Sequence, residues 1–272
     1  MIAVFVTALG IVLGSFVNAL VWRLHEQSRS KPKVARAELS ILKGRSMCPQ
    51  CHHTLAAKDL VPVVSWLWLR GRCRYCTTPI SPQYPLVEVL TGLLFLGAYL
   101  AWPLAFNVIG MVQLGFFVLC IVFFVALALY DMRWFLLPDK LVFPLVALGA
   151  LEVMVVAVFH HSVMAVWQPV LGAAILYGLF WGLYQVSNGE WIGGGDVKLA
   201  LALGLIAGTP LRAAMIIFLA SLLGTLASFP LLLRGKRGLT QHIPFGPYLL
   251  LSCYIVVLLG GHIEVWYKHV LL

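Results

Sequence analysis

Two aspartates sit where an apolar chain can least accommodate charge. Asp131 closes the run Val118–Tyr130, and Asp196 opens Val197–Gly208 directly behind Gly193-Gly194-Gly195. Ionisable groups at membrane depth are costly and mark functional positions. Two carboxylates that face each other can share one proton, because close like charges do not readily both ionise. One then takes a proton from water while the other polarises a carbonyl, which is aspartyl protease chemistry. The plain structural alternatives are an interfacial residue for Asp131 and a helix N-cap for Asp196. Three preceding glycines go beyond what an N-cap requires; they permit a turn or the close approach of another segment.

Four cysteines form a second constellation. Cys48-Pro49-Gln50-Cys51 and Cys73-Arg74-Tyr75-Cys76 are two Cys-x2-Cys pairs separated by 21 residues. That pattern suits a tetrahedral zinc site, and an all-cysteine site is closed and structural. A single pair would leave a redox role open; two pairs in a loop with little core of its own favour metal. His52 and His53 adjoin the second cysteine and are not needed as ligands. Between the pairs, Leu60, Val61, Val63, Val64, Trp66, Leu67, Trp68 and Leu69 form an apolar run that packs the small domain or lies on the membrane face. Cys120 and Cys253 fall in apolar runs and read as small buried hydrophobes.

The elements that must position these groups are membrane helices. The chain is 61% hydrophobic with 10 acidic residues in 272, and its mean hydropathy is +0.95. Eight spans are expected, at about 2–22, 86–104, 109–130, 140–159, 167–186, 197–208, 211–233 and 247–267. The sixth is short, as suits a helix that starts below the membrane surface. Without a basic region before it, Ile2–Trp22 reads as a retained span. The expected organisation is a first helix (1–22), a cytoplasmic cysteine loop (23–84) and a membrane core (85–272), all-α throughout.

Charge orients the spans. Residues 23–84 hold 11 of the 19 Lys and Arg residues. With that loop cytoplasmic, alternation places Arg133, Lys140, Lys198, Arg234, Lys236 and Arg237 on the same side, leaving only Arg212 and Lys268 outside. This is a strong positive-inside pattern. The formal charge of +9 is therefore topological, and no nucleic-acid partner is expected.

Ordered motifs extend along most of the chain. They are Gly14-Ser15-Phe16-Val17-Asn18 with Arg23, the two cysteine pairs, Leu60-Val61-Pro62, Ser65-Trp66-Leu67, Gly71-Arg72-Cys73, Ile80-Ser81, Tyr84-Pro85 and Glu88. Then come Asp131 with Leu137-Pro138-Asp139, Gly193-Gly194-Gly195-Asp196-Val197-Lys198-Leu199, and Ile243-Pro244-Phe245-Gly246-Pro247. Taken in order, these resemble the type IV prepilin peptidases, Gly-x-Gly-Asp membrane aspartyl proteases of type IV pilus and type II secretion systems.

The resemblance implies that Asp131 and Asp196 are the catalytic pair and that Cys48, Cys51, Cys73 and Cys76 hold structural zinc. It implies a substrate, the basic leader of a prepilin or pseudopilin, cut after a glycine at the cytoplasmic face of the bacterial inner membrane. It also implies methylation of the new N-terminal amine with S-adenosylmethionine, for which the sequence offers no separate signature. Asp139, Gly193, Gly194, Gly195, Lys198 and Glu88 are expected to bind substrate or support the site, and Glu88 is open to a structural or a methyl-transfer role. Helix ends suggest Asp196 as the resting base and Asp131 as the protonated acid, since Asp196 begins a helix and Asp131 ends one. Gly10 and Gly14 are expected to allow close packing of the first helix. A proton-coupled transporter is the alternative, but no repeated halves are visible. A zinc-bearing membrane scaffold would leave both aspartates without a task.

Overall fold

The computed structural model describes residues 1–30, 34, 35, 38–41, 44–233 and 244–271, with side chains at these positions other than 230–233 and 266–271. Arg234, Lys236, Arg237 and Ile243 lie outside the described residues, as do Lys31, Lys33, Arg36 and Lys43 of the first loop. Among those described, the helices are α1 (Ile2–Ser28), α2 (Val64–Trp68), α3 (Gln83–Leu100), α4 (Val108–Trp134), α5 (Asp139–His160), α6 (Met164–Val186), α7 (Gly194–Ala207), α8 (Pro210–Leu233) and α9 (Gly246–Leu271). No strand occurs among them; two isolated bridges lie in the cysteine loop. The all-α expectation therefore holds.

Seven of these helices are long and apolar enough to cross a membrane. The remaining expected span, the sixth, is α7, with 14 residues. At about 1.5 Å per residue it reaches about 21 Å, short of a hydrocarbon core about 30 Å thick. The chain divides by contact into two compact units, Met1–Leu100 and Ala101–Leu272.

In the first unit α1 packs along α3. A Cβ on Gly10 would lie 2.8 Å from the Phe95 ring, and one on Gly14 would lie 2.8 Å from the Glu88 Cα. The Gly-x-x-x-Gly face thus brings two backbones together, as expected. One helical step on, the Asn18 amide donates to the Tyr84 carbonyl at 3.1 Å and accepts from Gln83 Nε2 at 3.2 Å. Near the end of α1 the buried Arg23 donates to the carbonyls of Ser40, Ile41 and Gly44 at 3.0–3.3 Å. Gln27 donates to the Leu39 carbonyl at 2.8 Å. Side chains of α1 thereby satisfy the described backbone of a segment that has no ladder of its own.

In the second unit α7 packs against α5, α6, α8 and α9. Leu199, Ala200, Ala202 and Leu203 are wholly buried. A helix covered on every side needs no polar face, which explains its unbroken apolar run. Gly204 leaves no room for a Cβ against Ala173 of α6, so small residues set the approach of these helices.

Candidate active site and metal centre

The two cysteine pairs fold into near-identical knuckles. Cys48 N–H donates to the His53 carbonyl at 3.0 Å, and His52 N–H donates to the Cys48 carbonyl at 2.9 Å. Cys73 and Thr77 repeat the pattern, bonding Thr78 and Cys73 at 2.9 Å each. His52 and Thr77, each directly after the second cysteine of its pair, both take φ +57°. That left-handed turn aims both thiols of a pair inward.

The four Sγ atoms lie within 4.8 Å of one another, and Cys48 and Cys76 are 3.9 Å apart. Zinc with Zn–S bonds of about 2.3 Å separates its sulfurs by about 3.8 Å, so the cluster can hold the metal with no position left open. Burial pushes the Cys73 thiol up. Hydrogen bonds from the side chain and backbone of Thr78 pull the Cys76 thiol down to about 6. A low thiol value favours the thiolate that metal requires.

Outside the ligands, Asp59 accepts from Arg74 Nε at 2.7 Å and from the Tyr75 hydroxyl at 3.0 Å. Desolvation would raise its carboxyl, but bonds from Arg74, Tyr75 and the Ala56 backbone outweigh it and hold the group below its usual range. The same contact raises the Tyr75 phenol, with Asp59 the main cause. His53 is no ligand; its ring lies 3.8 Å from that of Tyr75 and links one knuckle to the other. Glu88 accepts the Val63 N–H at 2.7 Å. Val63 has φ +60°, an uncommon conformation for a β-branched residue, so this bond holds a strained turn.

Both aspartates lie in the second unit. Asp131 lies in the last turn of α4 and is buried. Phe135 ends α4 in the left-handed conformation, its N–H bonded to the Asp131 carbonyl at 2.8 Å. Asp196 lies in the first turn of α7, behind an N-cap that is Gly193 and not Asp196 itself. Asp131 is near enough for its charge to act on Asp196. Asp196 Oδ1 is buried and has no hydrogen-bond partner among the described residues.

Leu137 lies between Gly195 and Gly246. A Cβ on Gly195 would lie 2.9 Å from the Leu137 Cβ, and one on Gly246 would lie 3.6 Å from a Leu137 δ-carbon. None of the three glycines before Asp196 has positive φ. Gly195 serves close approach, then, and no left-handed turn requires the run.

Gly246 is the residue whose role sequence alone does not disclose. Its N–H donates to Asp131 Oδ2 at 3.1 Å, and a Cβ there would sit 2.6 Å from that oxygen. Gly246 is the first residue of α9. Asp131 therefore ends one helix and faces the beginning of another, and the expectation drawn from α4 alone leaves out half of its surroundings. The visible signal is a glycine followed by Pro247 at the start of an apolar run, a helix-start pattern.

Asp139 and Lys198 form their own pair. Lys198 Nζ bonds both Asp139 carboxylate oxygens at 2.7 and 3.0 Å, in an exposed setting. Asp139 makes no capping bond; Pro138 is the N-cap of α5. The ion pair ties the first turn of α5 to the first turns of α7, the two segments that flank the aspartates.

Comparison with known proteins agrees along the length of the chain. Residues 8–102 match the bacterial peptidase A24 N-terminal domain, and residues 117–229 match the type IV leader peptidase family. A prepilin leader peptidase/N-methyltransferase of Aeromonas hydrophila is 33% identical over 94% of this chain and 90% of its own. Proteins of the same description from Dickeya chrysanthemi and Pseudomonas aeruginosa are 36% and 34% identical, over 90% and 94% of this chain and 88% and 89% of their own. No solved structure gives a significant match. Helices, motifs and relatives converge, and the chain belongs to the type IV leader peptidase family.

Proposed function

We propose that the protein is an aspartyl endopeptidase that removes the basic leader of type IV prepilins or type II secretion pseudopilins. The cut falls after a glycine at the cytoplasmic face of the inner membrane, with residues 101–272 supplying the reaction. One observation carries this reading: Asp131 and Asp196 come from separate helices and lie near enough for the charge of one to act on the other, Asp196 in the first turn of α7 and Asp131 against the first residue of α9. The relatives named prepilin leader peptidase/N-methyltransferase support the substrate.

Asp131 Oδ2 faces a backbone N–H, which can only donate, so that oxygen is an acceptor. A donor on the carboxylate favours its ionised form, and the unpartnered Oδ1 of Asp196 is free to carry the proton of the pair. We assign Asp131 as the resting base and Asp196 as the acid, the reverse of the expectation from α4 and α7 alone. Asp131 takes a proton from water as the water oxygen attacks the scissile carbonyl carbon. Asp196 gives its proton to the carbonyl oxygen. Collapse of the tetrahedral diol breaks the C–N bond: the leaving amine takes the proton from Asp131 while one diol hydroxyl returns its proton to Asp196, which restores both carboxyls. Exposed Phe135 and Leu136, beside Asp131, offer apolar contact to the substrate helix. Gly193, Gly194, Gly195, Asp139 and Lys198 shape and brace the segments beside the pair.

Methylation of the new amine with S-adenosylmethionine is proposed on the relatives' names. Glu88 does not fit that task, since its carboxylate is engaged with Val63 and its Cα lies under Gly14. Its role is structural.

Cleavage of a prepilin by purified protein, with mass spectrometry of both products, tests the proposal. Loss of cleavage in both Asp131→Asn and Asp196→Asn is expected. Full cleavage by either variant would overturn the catalytic pair.

A further inference from the structure

The segment between the knuckles holds two tryptophans, two positions apart, with opposite settings. Trp66 turns inward: its indole N–H donates to the Ile80 carbonyl at 3.1 Å, and its ring lies against Gly71. Trp68 is 81% exposed, Leu67 62% and Val64 55%. Leu60 and Val61, just before α2, are exposed as well. The apolar run therefore only partly packs its own domain, and the remaining face is too apolar to stand in water without a purpose.

Two observations indicate what covers that face. The first is depth. Val63, directly before α2, bonds Glu88, which lies about 8 Å along α3 from its start at Gln83. Ile80 N–H donates to the Gly71 carbonyl at 2.7 Å, three residues before α3 begins. Both bonds hold α2 level with the first turns of a membrane helix. There α3 itself exposes Leu86, Val89, Leu90 and Leu93. The second observation is charge. Lys58, Arg70 and Arg72 are exposed and flank the apolar face. Apolar side chains at the boundary, tryptophan among them, with cations at headgroup level are the pattern of a segment lying in a membrane interface.

We propose that residues 58–72 form an interfacial anchor. Val64, Leu67 and Trp68 enter the leaflet beside α3, and Lys58, Arg70 and Arg72 bind anionic phospholipid headgroups. The anchor holds both knuckles against the bilayer surface. It is independent of the roles assigned to Asp131 and Asp196.

A photoreactive benzoylphenylalanine placed at Leu67 or at Trp68 tests this in the full, zinc-loaded chain. The protein is held in lipid nanodiscs of phosphatidylcholine, with or without phosphatidylglycerol. Leu93 serves as the lipid-facing control and Thr77, on an exposed knuckle, as the solvent control. Lipid adducts at positions 67 and 68 should come within about threefold of those at 93 and exceed those at 77 by about tenfold. Replacing Lys58, Arg70 and Arg72 by Gln should lower the adducts at 68 only where phosphatidylglycerol is present. Adducts at 67 and 68 as rare as at 77, with Leu93 labelled, would overturn the anchor. So would adducts to a second chain, or to an added prepilin, in place of lipid. An unchanged yield in the three-fold Gln variant would overturn the headgroup contact.

Discussion

The cysteine centre draws its outermost ligands, Cys48 and Cys76, from 28 positions apart. The aspartate centre joins Asp131 to Gly246 across 115. In the first, two short turns with the same hydrogen bonds aim four identical side chains at one point. In the second, the end of α4 and the beginnings of α7 and α9 contribute, and the hydrogen bond to the Asp131 side chain comes from glycine backbone. A local centre survives changes elsewhere in the chain because each knuckle makes its own geometry. A convergent centre depends on packing between helices, so sub-ångström crowding at a glycine is felt by the carboxylates.

The largest expected effect separates the two regions by chemistry. Asp131→Asn and Asp196→Asn should each lower single-turnover prepilin cleavage by about 10²–10⁴-fold. Metal analysis should find their zinc content unchanged. A variant that lost zinc would show the regions to be one cooperative unit.

Gly246→Ala sharpens the comparison from the other side. The added carbon would meet Asp131 Oδ2 at 2.6 Å, and displacement of a catalytic group by an ångström costs about 10²-fold. Turnover should fall by that order while the melting temperature moves little. Wild-type turnover in this variant would remove Gly246 from the site.

Cys48→Ser acts on the local centre. One zinc per chain should be lost, and proteolysis within 44–80 should accelerate by about tenfold or more, since binding and folding of such loops are coupled. Limited digestion followed by mass spectrometry reads this directly. A cut pattern identical to wild type would mean that the knuckles stand without metal.

A smaller effect is expected at Glu88. Glu88→Ala leaves the Val63 N–H without its acceptor and should cost about 1–3 kcal/mol in chemical denaturation. Glu88→Gln keeps an acceptor oxygen and should cost less. Equal losses would show that charge, and not the hydrogen bond, is what position 88 supplies.

The smallest is a matter of titration. Asp59 is the main cause of the raised Tyr75 phenol, with burial second. Asp59→Asn should bring the phenol back toward its ordinary value of about 10, as read by the difference in phenolate absorbance between that variant and Asp59→Asn/Tyr75→Phe. A phenol raised on folding stabilises fully below its unfolded value, and that contribution is lost as pH rises through the folded one. An alkaline melting profile with no difference between wild type and Tyr75→Phe would contradict this.

Much of the cysteine centre is visible in the sequence because its information is local. Two Cys-x2-Cys pairs announce ligands and spacing, and a left-handed residue after each pair adds only detail. The long apolar runs likewise disclose the membrane helices, and the brevity of α7 shows in its 14 residues. The partners of the aspartates are less visible. Asp131 closes its run conspicuously, yet nothing near it in sequence points to Gly246, because a backbone N–H belongs to every residue but proline. The union of Asp139 with Lys198 is hidden for a similar reason: exposed ion pairs depend on how helix ends meet. The glycines before Asp196 suggested both a turn and a close approach; only Leu137, 58 positions earlier, decides between them at Gly195.

The missing side chain at Gly246 bears on how this protein could be inhibited. A compound that took the Gly246 N–H in place of Asp131 Oδ2 would grip a backbone donor that only proline lacks. Any side chain introduced to block it would press first on Asp131. Escape by mutation at that contact would carry its own loss of activity, which makes the amide a durable foothold for a drug.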